Sequence, residues 1–201
     1  MKTNTRFVTL SLTSVIVPAS KSGHYGETQQ LVGCAMLIAD RDPNDRWHFE
    51  IKSSAIPAGA SEEALLLWLT HAMPDVGTVI GWQLGDDIVD PMLDAASDCD
   101  PEVGSAFLNR LMKLVTGASI DLAINHGGAN APLLQQISAR HGIPITPLSP
   151  SQIESAWAKG DVGALRDDVT AQVIAVWKLW LKESNGTAAS VSDAFSDWLA
   201  G

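Results

Sequence analysis

Val76-Gly77-Thr78-Val79-Ile80-Gly81-Trp82-Gln83-Leu84-Gly85-Asp86-Asp87-Ile88 changes character in the middle. The first half is a short apolar run between Pro74 and Gly85, which predicts a strand over 76–82. The second half brings two acids to a place where the N-terminal end of a helix favours negative charge. It predicts a helix from Asp86 or Asp87 to about Ala96. Pro101 suits the first turn of a second helix, over about 101–115. Ser119-Ile120-Asp121-Leu122-Ala123-Ile124 then reads as another strand, stopped by Asn125-His126-Gly127-Gly128. A series of strand, helices and strand points to parallel pairing.

Upstream, the period is different. Residues 7–17, 31–39 and 47–51 alternate or run apolar in the manner of strands. Turn chemistry separates them at 18–26 and 40–45. Short connections of this kind imply an antiparallel meander. Ser61 followed by Glu62 and Glu63 reads as a helix cap with first-turn acids, opening a helix to about Ala72. Downstream, helices are predicted at about 131–141, 151–158 and 164–181. Asn185-Gly186-Thr187 then precedes a short amphipathic segment over 191–199. The expected fold class is α/β, with one mixed five-stranded sheet: three antiparallel strands, then two parallel ones, and helices on both faces. Residues 1–201 read as one domain, with a C-terminal helical extension from about 186.

Composition narrows the function classes. Apolar residues make up 46% and charged residues 18% of the 201-residue chain, which suits a globular domain. No apolar run approaches the roughly 20 residues of a membrane helix, and no signal peptide is read at the N-terminus. A cytoplasmic location is the expectation. Cys34 and Cys99 are too few for a disulfide framework or a zinc cage, and Cys34 is expected in the core. The net charge is −10, and no Lys or Arg lies between Lys52 and Arg110. Grip on phosphates through a basic surface is therefore disfavoured. A nuclease that borrows positive charge from divalent ions is not excluded.

Several polar residues allow two readings. Asp86, Asp90, Asp94 and Asp98 recur every fourth residue. They are either a surface for a basic partner or ion, or a solvated helix face, and the solvated face is preferred. Asp87 is either a metal ligand or a dipole-stabilised first-turn acid. Asp168 is either a ligand or part of an Asp167-Asp168 helix start. His126 and Asn130 lie in the loop after the fifth strand, where open α/β sheets place ligands, although the neighbouring glycines also serve turn geometry. His141 is expected to end a helix. Trp177 and Trp180 are expected in the core, and some of the aromatic rings, including Phe195 and Trp198, could instead meet a second copy in a homodimer.

The Gly81–Ile88 junction resembles the second motif of the DnaQ-like and RNase T-like 3′–5′ exonucleases of the DEDD superfamily, Gly-His-Asn-x-x-Phe-Asp-Leu in a strand-to-helix context. Gly81 matches its Gly, and Asp87 falls on its metal-binding Asp. Trp82 and Gln83 replace His-Asn, and Asp86 replaces Phe. A second resemblance spans Ile137-Ser138-Ala139-Arg140-His141-Gly142-Ile143-Pro144 and Gly163-Ala164-Leu165-Arg166-Asp167-Asp168-Val169-Thr170-Ala171. It places Asp168 on the family's last metal-binding Asp and Gly163 on its general-base His; the tyrosine variant has no candidate, since Tyr25 is the only Tyr. The family's first-strand Asp-x-Glu becomes Ser11-Leu12-Thr13. A rival alignment sets Asn125–Leu133 on the corresponding motif of polymerase-B-like exonucleases, with Asn130 on the Asp. The first alignment leaves the more natural distance to Asp168.

The resemblance implies an RNase H-like fold whose metal site is degenerate at Ser11, Thr13 and Gly163, with Asp87 and Asp168 as remnants. It implies a role in binding, assembly or regulation linked to nucleic-acid metabolism, with no cofactor. If the site were active, it would use Mg2+ or Mn2+ to degrade single-stranded DNA or RNA, with Glu27 or Asp86 replacing lost ligands. A third class is an acidic protein-interaction module, using 86–102 to meet a basic protein.

Overall fold

The computed structural model describes residues 5–18, 27–184 and 189–201. The turn at 19–26 with Tyr25, the side chain of Glu27 and the 185–187 separator lie outside the described residues. Three long strands come first: β1 (Thr5–Pro18), β2 (Glu27–Arg41) and β3 (Trp47–Ala55). After helix α1 (Glu62–Ala72) come the short β4 (Thr78–Gly81) and, beyond α2 (Asp90–Asp98) and α3 (Pro101–Val115), β5 (Ser119–Asp121). Helices α4 (Leu134–Arg140), α5 (Pro150–Lys159), α6 (Val162–Glu183) and α7 (Ala189–Ala200) complete the chain.

The five strands form one mixed sheet in the order β3-β2-β1-β4-β5. β1 pairs antiparallel with β2, and β2 with β3. β4 pairs parallel with β1 and with β5. The α/β class and the division into three antiparallel strands and two parallel ones are as the sequence predicts.

Period-two alternation builds a core on each side of the sheet. Along β2, Val32, Cys34, Met36 and Ile38 pack with residues of α1, α2 and α3, including Leu66, Met92, Phe107 and Leu111. Ala35, Leu37 and Ala39 point the other way, with Val173, Val176 and Trp177 of α6, Ile137 of α4 and Phe195 of α7. Helices therefore cover both faces, which is why β2 reads as an almost unbroken apolar run. Cys34 is fully buried, as expected.

On the α6 side the rings of Phe7, Trp47, Phe49, Trp177, Trp180, Phe195 and Trp198 touch in a continuous chain. Trp177 and Phe195 are buried; Trp198 and Leu199 of α7 remain partly exposed. The rings weighed as a surface for a second copy thus pack largely within the chain.

Local signals place the helices with small shifts. Ser61 caps α1 and accepts the Glu63 N–H at 3.2 Å. Two readings need correction. The helix expected from Asp86 is first a π-helical turn, Leu84–Val89, and becomes α2 at Asp90. The strand expected over 119–124 ends at Asp121, because Leu122–His126 tightens into a 3-10 turn. There the Asp121 carboxylate draws in the Ala123 N–H at 3.0 Å, a side-chain-to-backbone bond that competes with the ladder.

Candidate functional site

The polar residues fall into three groups. The first surrounds Asp168, on the face of the sheet that α6 covers. Ser11 and Thr13 lie two apart on β1 and share a face; each is 6% exposed. Ser11 Oγ donates to Gln172 Oε1 at 3.0 Å. Gln172 Nε2 donates to Asp168 Oδ2 at 2.8 Å, and the Leu148 N–H donates to Asp168 Oδ1 at 2.8 Å. Both carboxylate oxygens are therefore engaged by donors of the chain itself. Burial pushes the Asp168 carboxyl up, and the bonds from Leu148 and Gln172 offset part of that rise.

The structure corrects one reading of Asp168. α6 begins at Val162 with Asp161 as its cap, so Asp167 and Asp168 lie in its second turn rather than at its start. Gly163 is exposed in the first turn. Gln172, which joins Ser11 to Asp168, was missed by sequence reasoning. Its one available signal is its spacing, a turn beyond Asp168 on the same face of the helix.

These residues do not fit a pair of divalent ions. A two-metal site needs a dense set of anionic oxygens. Ser11, Thr13 and Gln172 are neutral, and the one carboxylate among them is already satisfied.

The second group lies at the carboxyl ends of β4 and β5, whose register sets Gly81 opposite Asp121. Asp121 Oδ2 accepts the Leu84 N–H at 3.1 Å, so one carboxylate caps both the π-helical turn and the 3-10 turn. Gln83 takes a left-handed conformation at this junction (φ 47°, ψ 53°). Gly81 allows the turn to close over it, since a Cβ there would lie 2.7 Å from Leu84 Cδ1. Asp87 lies within the turn, with its side chain partly open to solvent. Partial burial raises its carboxyl above the ordinary range, and the charges of Asp86 and Asp121 raise it further. The acids acting on Asp87 are thus its local neighbours. Asp168 is held by Leu148 and Gln172. Asp86, Asp90, Asp94 and Asp98 are all exposed, as a solvated face requires, and the π-helical turn breaks the regular four-residue period assumed for them.

His126 belongs to the third group. It ends the 3-10 turn after β5, and its ring packs against Trp82 at 5.5 Å between centroids. Its Nε2 lies 2.7 Å from Glu183 Oε1 at the C-terminal end of α6. Asn125 Nδ2 donates to Glu183 Oε2 at 3.2 Å. His141 is the C-cap of α4, as expected, and its ring meets His126 edge-on. Asn130, at the end of the next 3-10 turn, is exposed and stands apart from this group of contacts. Glu183 lies roughly four helical turns from Asp168, about 22 Å along α6 at 1.5 Å per residue. The loop group and the Asp168 group are separate places.

The described residues contain no helix long and apolar enough to cross a membrane. In comparisons with known proteins, no family model matches the chain, and no curated protein matches it.

Proposed function

We propose that the chain is an RNase H-like, DnaQ-type exonuclease domain whose catalytic centre has been converted into a structural joint, and that it serves binding, assembly or regulation in nucleic-acid metabolism. The strand order β3-β2-β1-β4-β5, with β1–β3 antiparallel and β4 and β5 parallel, supports the fold assignment. The observation that carries the functional reading is the Ser11–Gln172–Asp168 hydrogen-bond chain. A hydroxyl stands where the resemblance asks for a first-strand carboxylate. A neutral amide holds the remnant acid.

The test is hydrolysis of an end-labelled single strand, DNA or RNA, in Mg2+ or Mn2+, beside an Asp87→Ala/Asp168→Ala double variant. The expected result is no degradation above the variant's background at high protein concentration. Degradation that disappears in the double variant would establish a working nuclease and overturn the proposal.

One observation favours a second reading, an acidic docking surface. Asp86, Asp90, Asp94 and Asp98 are exposed in a region that lacks Lys and Arg from 53 to 109. A basic protein that bound there would lose affinity steeply with salt. Binding indifferent to salt, or lost equally in variants remote from these acids, would reject it.

A further inference from the structure

The exonuclease resemblance assigns no ligand or catalytic role to His126, His141 or Glu183. The fold brings their side chains together from three elements that are distant in sequence. His126 ends the turn after β5, His141 caps α4, and Glu183 ends α6. One donor atom from each lies within 4.8 Å of the other two. We propose that these three residues form a binding site for a single d-block divalent cation of the zinc class.

The donor chemistry favours that class. Two imidazole nitrogens and one carboxylate oxygen suit Zn2+ and its neighbours, whereas Mg2+ and Ca2+ prefer sets made wholly of oxygen. Glu183 Oε1 lies 2.7 Å from His126 Nε2 and 3.9 Å from His141 Nε2. Adjacent ligands of a tetrahedral ion with bonds of 2.0–2.1 Å stand about 3.3 Å apart. The two separations straddle that value, so small movements of His126 outward and His141 inward satisfy both. The His126 and His141 rings are nearly perpendicular, at 84°, and their centroids are 6.2 Å apart. Bringing the two nitrogens onto one ion asks His141 to approach further, and its side chain is the most exposed of the three.

The surroundings orient the donors as metal sites do. Asn125 Nδ2 holds Glu183 Oε2 and leaves Oε1 facing the imidazoles. Trp82 packs against the His126 ring and restricts its rotation. The side chains of His126 and Glu183 are 19% and 15% exposed, sheltered yet within reach of solvent. Three protein ligands leave a fourth position for water or an external donor. The Lys182 ammonium donates to the His141 carbonyl oxygen, on the backbone side of that residue. The bound ion would pin α4 and the post-β5 turn to the end of α6.

The test titrates the untagged, EDTA-treated 201-residue chain with ZnCl2 by calorimetry, and with CoCl2 by visible absorption. The expected result is one equivalent of Zn2+ per chain, with intense d–d bands of low-coordinate Co2+ that Zn2+ displaces and excess Mg2+ does not. His126→Ala and His141→Ala should each weaken binding by at least tenfold, while His48→Ala, at a distant exposed histidine, leaves it unchanged. Asn125→Ala should weaken it by about tenfold, as loss of an outer-sphere partner does. Circular dichroism of each variant establishes that it is folded. If His126→Ala does not fold, His141→Gln and Asn125→Ala carry the test. Absence of binding, or binding that survives in both folded histidine variants, overturns the proposal and leaves Glu183 as the hydrogen-bond partner of His126 and Asn125.

Discussion

Ser11 Oγ donates to Gln172 Oε1 at 3.0 Å across 161 residues of sequence, at the far end of a chain whose polarity the Asp168 carboxylate sets. The Asp168 carboxylate accepts from the amide nitrogen, which leaves the amide oxygen to accept from Ser11, whose hydroxyl can play either role.

Asp168→Asn should therefore be tolerated. Its oxygen can keep the Leu148 N–H, and a flipped Gln172 can accept from its nitrogen while donating to Ser11. Asp168→Leu strands two donors, Leu148 N–H and Gln172 Nε2. A buried donor left unsatisfied costs about 1–3 kcal/mol. Urea unfolding should place the Asp168→Asn variant near the parent and the Asp168→Leu variant well below it.

The pH dependence follows from the raised Asp168 carboxyl. A group whose folded pKa exceeds its unfolded value, about 3.9 for Asp, binds more protons in the native state. Its contribution to stability is complete below the unfolded value and is lost as pH rises through the folded one. Asp87 and Glu62 act in the same direction, each raised first of all by burial. Unfolding midpoints of the parent and Asp168→Asn measured from pH 4 to pH 7 should show the parent losing ground to the variant as pH increases. A constant difference across that range would contradict the assignment.

Gln83 sits in the left-handed region, where a side chain costs roughly 1–2 kcal/mol and glycine does not. Gln83→Gly relieves that cost but gives up the long contact from Nε2 to the Ala129 carbonyl at 3.5 Å, and it adds freedom to the unfolded chain. The expected net effect is a stability gain of up to about 1 kcal/mol. Gln83→Val, β-branched at the same φ, should lose stability. Thermal melts of the pair check the sign.

Gly104 lies inside α3, where glycine ordinarily costs about 1 kcal/mol relative to alanine. A Cβ there would collide with the Ala96 carbonyl oxygen of α2, and backbone yields little. Gly104→Ala should thus destabilise rather than stabilise, by about 1–3 kcal/mol as overpacking does. A rise in the unfolding midpoint would show that α2 and α3 have room to separate.

Much of the fold was legible because its signals are local or strictly periodic. The Ser61 cap, Pro101 in a first turn and the double-sided apolar run of β2 each announce an element without outside information. The π-helical turn at Leu84–Val89 was not legible: it follows from Gln83 entering the left-handed region and from Asp121 reaching over from the next strand. The candidate site fared similarly. Ser11 and Thr13 were singled out only through the exonuclease resemblance, which also marked Asp168, and Gln172 became relevant only when α6 crossed β1. His126 stood out as a loop residue. Glu183 looked like any acid near a helix end until the fold set it between two imidazoles.

The ring chain on the α6 face also makes the protein its own optical probe. Trp177 and Trp180 lie 4.7 Å apart between centroids with their planes inclined at 36°, close enough for their transitions to couple. Phe195 and Trp198 reach the same chain from α7. Near-ultraviolet dichroism should carry a strong signal from this fixed packing, and that signal vanishes when packing loosens while helices persist. Detachment of α7 alone would thus register as a change in tryptophan emission and dichroism before the sheet opens, with no label attached.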